Sequence, residues 1–480
     1  MNHKIVAKVL GAMLAVEGAA LLLPALVSLW FRDGTFTVFL LTAAFCLAVG
    51  IPLSRMNTGG MQMQRRDGFA SAGLSWIVLG AVGALPYVGS GALPDYIDAL
   101  FETISGFTTT GATVMEDIEA MPRAVLFWRA ETNWLGGMGV LVLLLAVLPR
   151  LGDGSANLMR AESPGPVMTK LFPHTTDTAK VLYVIYILLT VAEIIALLLL
   201  GMPLYDSVTN AFATIATGGF CVHTESIAFY ASPAITWTVT VFMFLSGINF
   251  SVLYLIAIGR LREALAEEEL RMYGAVTVVM TGIITANLIV ETGRSFGESF
   301  TNAAFQLVSM MTTTGFGIDS FTLWPRVAQC VMILAMLFGG CAGSTAGGIK
   351  HIRVMVLFRD MRRWLKHILH PREVRPVCID GRRVEEETAS NIGCFFFAYV
   401  LILVLGTLVI SFDDISFQDA LTSAITSLSN VGPCFGELGT LGTFASLSIV
   451  SKLTMSICML FGRLEIVPLL ILLSPSLWRK

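Results

Sequence analysis

The sequence predicts an all-α membrane protein in which four parallel helix–pore loop–helix repeats surround a pore, behind two N-terminal transmembrane helices. Three observations carry this. The chain of 480 residues is 55% hydrophobic and only 14% charged, with a mean hydropathy of +0.75. Soluble domains are about 45–50% apolar and about 25% charged. It holds ten apolar stretches of roughly membrane length. Between successive pairs of the last eight sits a short Thr/Val/Asn-rich run ending in glycine, at Gly111, Gly218, Gly315 and Gly432.

The two leading stretches cover 8–30 and 36–53. The N-terminus lacks a small-residue cleavage site, so the first is read as a retained helix. The remaining eight cover 69–90, 123–148, 179–201, 234–259, 273–291, 326–358, 391–411 and 443–474. This divides the chain into leading helices 1–60 and repeats 61–150, 151–265, 266–385 and 386–480, the third with an interrupted intramembrane segment. Ten spans put both termini on one side. Arg55, Arg65, Arg66, Arg150, Arg160, Lys170, Arg260, Arg262, Arg271 and a dense run from Lys350 to Arg383 share that side, which makes it cytoplasmic. The opposite side is acidic: Asp95, Asp98, Glu116, Asp117, Glu119, Asp206, Glu225, Asp319, Asp413, Asp414, Asp419 and Glu437. Those acids either concentrate cations at an outer mouth or keep outer loops soluble.

Each repeat carries a short one-sided segment, at 95–107, 205–215, 298–311 and 417–429, too short to span. Acids at their starts suit the positive end of a helix dipole, which aims each negative end at the following turn. The turns are Thr109-Thr110-Gly111, Ala216-Thr217-Gly218, Thr313-Thr314-Gly315 and Asn430-Val431-Gly432. Non-helical backbone at membrane depth survives only where it is buried or lines water. Glycine adopts the required angles cheaply, and carbonyl rims of this kind replace the water around a hard cation. These twelve residues are the expected selectivity filter, with threonine hydroxyls as further oxygen donors.

The second stretch of the third repeat is broken by Gly339-Gly340-Cys341-Ala342-Gly343-Ser344-Thr345-Ala346-Gly347-Gly348-Ile349-Lys350. Five glycines in this run cannot make a good helix. A nucleotide P-loop is excluded by the order of Gly348-Ile349-Lys350 and the lack of a preceding strand. A packing kink and a movable obstruction in a cavity remain; the second is preferred, with Gly340, Gly343, Ser344, Thr345, Gly347, Gly348 and Lys350 as its working residues. Arg463 lies inside the last stretch. An intramembrane arginine is functional by default, the alternative being an ion pair with Glu465 or Glu193. Arg129 and Glu131 are read as a structural pair, and Glu267-Glu268-Glu269 as a solvated loop face. Gly136-Gly137-Met138-Gly139 and Ser246-Gly247-Ile248-Asn249-Phe250 are weak points in two other second spans.

The eight cysteines show no CxxC pair and are read as packing residues. A net charge of -3 gives no support for nucleic-acid binding. No enzymatic motif such as HExxH or GxSxG occurs, and no cofactor is expected on the chain.

The segments Ser105-Gly106-Phe107-Thr108-Thr109-Thr110-Gly111-Ala112, Ala216-Thr217-Gly218-Gly219-Phe220, Thr312-Thr313-Thr314-Gly315-Phe316 and Ser429-Asn430-Val431-Gly432-Pro433 resemble the superfamily of K+ transporters. Within it the chain is similar to the bacterial TrkH/TrkG type; the two leading helices separate it from the shorter KtrB type. The resemblance implies a K+-translocating subunit of the bacterial inner membrane with one filter glycine per repeat. It also implies a homodimer with one pore per subunit and a cytosolic TrkA-like nucleotide-binding ring. Further, it implies that the glycine-rich loop is a gate and that Arg463 faces the pore beside it. In related plant transporters a serine in the first turn goes with Na+ preference, so Gly111 favours K+. A gated, channel-like pathway and a symporter coupling K+ to H+ or Na+ both stand, the former preferred because no Asp lies deep in a span. The basic segment 353–383 is either a positive-inside anchor or the docking surface of that ring.

Overall fold

The computed structural model describes residues 2–57, 63–139, 175–372, 376–436, 438–439 and 442–478. Residues 140–148 of the predicted span 123–148, together with Arg150, Arg160, Lys170 and Glu437, lie outside the described residues. Among the described residues the only sheet is a two-stranded antiparallel hairpin, Cys378–Ile379 with Arg382–Arg383; everything else regular is helical.

The N-terminal span runs His3–Phe31, and Phe36–Ser54 folds back against it. Their approach is set by glycine. A Cβ on Gly11 would sit 2.3 Å from Leu53 Cβ, and one on Gly50 would sit 2.7 Å from Gly11 O. Small residues of this kind bring helices together where lipid supplies no hydrophobic drive.

Each repeat then opens with a long helix: Arg65–Gly83, Thr175–Leu199, Glu268–Thr292 and Glu386–Ile410. The last three are only 33%, 33% and 22% buried over their most apolar windows. Leu188, Val278, Phe397 and Leu408 are exposed along them, so this outer ring presents apolar surface to lipid. Short helices follow at Tyr96–Phe107, Leu204–Ile215, Phe296–Met311 and Phe417–Ser429. They are buried over most of their length. Asp95, Ser295 and Ser416 cap three of them by accepting backbone N–H groups.

The second helices break, which the apolar stretches alone conceal. Arg123–Gly137, Pro233–Ser246, Arg326–Leu337 and Ile449–Arg463 each stop partway. The second resumes as Phe250–Ala257 at a bend of 106°, and the fourth as Val467–Leu473 after positive φ at Glu465 and Ile466. The expected span 326–358 is thus two helices, the second being the long amphipathic His351–Leu369. Six helices, or seven with the bent pair, are long and apolar enough to cross a membrane among the described residues. At the first and fourth breaks a glycine packs against the end of a short helix. A Cβ on Gly136 would lie 1.8 Å from Phe107 O, and one on Gly462 2.2 Å from Leu428 O. These two helices pass so close to the ends of the short helices that only glycine fits there.

Candidate ion pathway

The four short helices end alike. Thr109, Thr217, Thr313 and Asn430 take φ of 54°, 54°, 58° and 58°, and Gly111, Gly219, Gly315 and Gly432 take 78°, 69°, 85° and 104°. The N–H groups of Thr110, Gly218, Thr314 and Val431 donate back to Ser105, Ala213, Ser309 and Thr426 at 2.8–2.9 Å. This is the Schellman closure of a helix end, built with a β-branched residue or asparagine where glycine is usual. A threonine at positive φ is strained, and it persists only where its surroundings over-determine it.

These equivalences correct the second turn by one residue. Gly219, rather than Gly218, stands where Gly111 stands; Ala216 ends its helix as Thr108 and Thr312 do. Two adjacent glycines hide the register in the sequence. Phe220 and Phe316, each directly after the left-handed glycine, are the signal that reveals it.

The turns close on one another. A Cβ on Gly111 would meet Gly218 O at 2.3 Å, on Gly219 Thr314 O at 1.9 Å, on Gly315 Val431 O at 2.2 Å, and on Gly432 Thr110 O at 2.6 Å. Each glycine lies against the carbonyl of the next repeat, and the fourth returns to the first. This is a cyclic ring of four backbone segments. Thr110 and Thr314 hydroxyls are engaged 2.8 Å away by Thr108 and Thr312, so they brace the turns. Asn430 Nδ2 ties repeat four to repeat one through Thr110 Oγ1 at 3.0 Å and also donates to Met459 O at 2.9 Å.

On one side of the ring lies a cavity lined by all four glycines together with Arg129, His223 and Phe444. Arg129 does not pair with Glu131. Its Nε lies 2.6 Å from Glu102 Oε1, its Nη1 donates to Cys221 O at 2.9 Å, and its guanidinium sits over the Phe220 ring. Glu102 belongs to the first short helix and meets Arg129 across the interface between that helix and Arg123–Gly137. Glu102 also accepts from the Thr113 hydroxyl at 2.9 Å and the Val114 N–H at 2.9 Å. The pair therefore braces the segments just beyond Gly111 and Gly219. Several acids near this face are internally engaged: Asp98 with Lys452 at 2.6 Å, Asp206 with the Tyr230 hydroxyl at 3.0 Å, and Asp319 with Arg294 at 2.5 Å.

On the other side the glycine-rich loop, itself part of the third repeat, reaches the second and fourth repeats directly. The Gly347 N–H donates to Thr313 Oγ1 at 2.7 Å, and a Cβ on Gly347 would lie 2.2 Å from Ser429 O. Thr345 Oγ1 donates to Ile215 O at 3.1 Å and Ser246 O at 3.2 Å. The neck is closed by Gly339 N–H to Ile349 O and Ile349 N–H to Leu337 O, both 3.0 Å. Gly343 and Gly348 have φ of 73° and 65°. Gly340 lies against Gly247 O, Ser344 bonds back to Cys341 O at 2.6 Å, and Lys350 Nζ donates to the carbonyls of Ala346 and Gly347.

Arg463 is held by backbone carbonyls. Its Nη1 donates to Thr345 O at 2.8 Å and its Nη2 to Gly136 O and Gly137 O, both at 2.5 Å. Glu465 instead pairs with Arg353, which approaches from the start of the His351–Leu369 helix. Arg463 thereby ties the loop to backbone carbonyls at the C-terminal end of the Arg123–Gly137 helix. The acidic run is also not simply a solvated face, because Glu269 is buried and bonded to the loop region.

Comparison with known proteins agrees with this architecture. The family model described as cation transport protein, TrkH, matches residues 35–480. The chain is 38% identical to the Trk system potassium uptake protein TrkH of Escherichia coli (strain K12), over 100% of both chains. It is 34% identical to the Trk system potassium uptake protein TrkG of the same organism, over 99% of both. The crystal structure of the potassium transporter TrkH from Vibrio parahaemolyticus superposes with a TM-score of 0.88 at 34% identity, covering 100% of both chains. A ring of four short-helix ends inside a full-length match of this depth makes the chain a member of the TrkH family of cation transport proteins.

Proposed function

We propose that this chain is the ion-translocating membrane subunit of a K+ uptake system, passing K+ through a gated, channel-like pore. The observation that carries it is the closed ring in which each of four left-handed glycines abuts the next repeat's carbonyl. Backbone carbonyls held this way offer hard oxygen ligands that replace a cation's water. The filter residues are Thr109, Thr110, Gly111, Thr217, Gly218, Gly219, Thr313, Thr314, Gly315, Asn430, Val431 and Gly432, with Ala216 as the helix end behind the second turn. The short helices aim their negative ends at this ring.

The loop of Gly340, Gly343, Ser344, Thr345, Gly347, Gly348 and Lys350, held by Arg463, is the gate. Its contacts with the second, third and fourth repeats beneath the ring, and its link to the first through Arg463, support that role. The protein is a multi-pass protein of the bacterial inner membrane. Its termini and the basic His351–Leu369 helix face the cytoplasm, as the distribution of Lys and Arg supports. It works with other Trk components: a second copy of itself, each with its own pore, and a cytosolic TrkA-like nucleotide-binding ring docked on the basic surface.

The test is uptake of radioactive rubidium into liposomes holding the purified protein, driven by trapped K+. Uptake competed by K+ and weakly by Na+, with no pH gradient, is the expected result. Uptake that appears only with a proton or Na+ gradient would replace the pore by coupled symport.

A further inference from the structure

We propose that Glu269 is the positioning residue that keeps the obstructing loop in place, through one carboxylate oxygen shared by the two ends of the loop. Glu269 opens the helix Glu268–Thr292 on the side of the basic surface, yet it is 7% exposed. Its Oε1 accepts the Ala342 N–H at 2.8 Å and the Ile352 N–H at 3.1 Å. Between those two amides lie Gly343, Thr345, Gly347 and Lys350. The helix His351–Leu369 has no side-chain cap of its own and no acid in its first turn. Glu269 supplies the missing acceptor oxygen at that helix start.

The same helix start also holds the surface hairpin. The Glu268 N–H donates to Asp380 Oδ1 at 2.8 Å, and Glu268 Oε2 pairs with Arg359 Nη2 at 2.5 Å. Arg359 in turn donates to Cys378 O. Hairpin and loop are thus held by adjacent residues of one helix. Moving Cys378–Arg383 relative to that helix pulls on the Glu269 clamp, a direct mechanical route from the exposed surface to the obstruction. This rests on the loop being the gate.

Both hydrogen bonds fall on one oxygen, so an amide oxygen can serve them and a methyl cannot. The experiment compares the wild-type protein with Glu269→Ala and Glu269→Gln, full-length and purified. Two readouts are taken: rubidium flux in liposomes, and maleimide alkylation of Cys341 followed by peptide mass spectrometry. Cys341 neighbours Ala342 and is 1% exposed. In Glu269→Ala, alkylation of Cys341 and basal flux should both rise about tenfold, the scale of the net hydrogen bonding lost with the acceptor oxygen, with the K+ over Na+ preference unchanged. Glu269→Gln should stay near wild type.

Wild-type rates in Glu269→Ala, or a Glu269→Gln as leaky as Glu269→Ala, would overturn the clamp. Should Glu269→Ala not purify as a monodisperse protein, Glu269→Asp keeps the charge but falls short by one methylene. Faster Cys341 alkylation is expected there too, and wild-type alkylation would overturn the clamp. Alkylation needs no flux. Absent wild-type rubidium uptake therefore counts against the proposed function, while the Cys341 rate still decides the clamp.

Discussion

Gly111 and Gly219 exclude a side chain for two separate reasons: a positive φ, and a neighbouring carbonyl within 2.3 Å of where Cβ would be. A Gly111→Ser variant must therefore widen or tilt the ring, and its K+ over Na+ permeability ratio should fall; an unchanged ratio would remove Gly111 from the filter. The glycines are legible in the sequence because nothing else adopts these angles cheaply. The threonines at positive φ are not, because they contradict local preference and are held there by tertiary contacts. Asp33 is a second residue-scale case. Burial pushes its carboxyl up, but hydrogen bonds from Ser28, the Ala124 N–H and Thr35 outweigh this and hold it below its ordinary value. That stabilisation is complete above the ordinary aspartate value of about 3.9 and fades as pH falls below it. In detergent, the Tm advantage of wild type over Asp33→Asn should accordingly shrink below about pH 4; a gap independent of pH would contradict it.

The second helices show what apolar patterning conceals at the scale of elements. Stretches such as 326–358 and 443–474 are hydrophobic enough to read as continuous spans. Gly247 and Gly462 nonetheless mark points of contact with the short helices, and the helices end there. Arg463 then finds its partners among the carbonyls of Gly136 and Gly137, where the helix Arg123–Gly137 ends, a pairing that no sequence spacing announces. Arg463→Ala frees the loop from that anchor, so basal rubidium flux should rise with selectivity intact; lower flux from well-folded protein would argue against a barrier. The Glu102–Arg129 pair belongs to this scale as well, since it joins a short helix to two post-ring segments. Spacing points to Glu131 as the partner because it lies nearer along the chain, while only the fold brings Glu102 across. Glu102→Gln leaves a buried guanidinium uncompensated, which costs about 3–5 kcal/mol. A marked loss of Tm is expected, partly recovered in the Glu102→Gln/Arg129→Met double variant; equal Tm values would show that the pair is dispensable.

Over the whole molecule, repetition makes the fold legible: four units of the same order can be counted along the amino-acid chain itself. The register between units is harder to read. It depends on which glycine of Gly218-Gly219 meets Thr314 O, a contact between residues far apart in sequence. The ring exists only when all four repeats are assembled, so the selectivity proposed for it belongs to the whole molecule, with each turn contributing jointly. The measurement that tests this most directly is the reversal potential of wild type and Gly219→Ser in bilayers with K+ on one side and Na+ on the other. Wild type should reverse far from zero, with the Na+ side positive, and Gly219→Ser closer to zero. A wild-type potential near zero, or a Gly219→Ser potential equal to that of wild type, would contradict selection by the four-glycine ring.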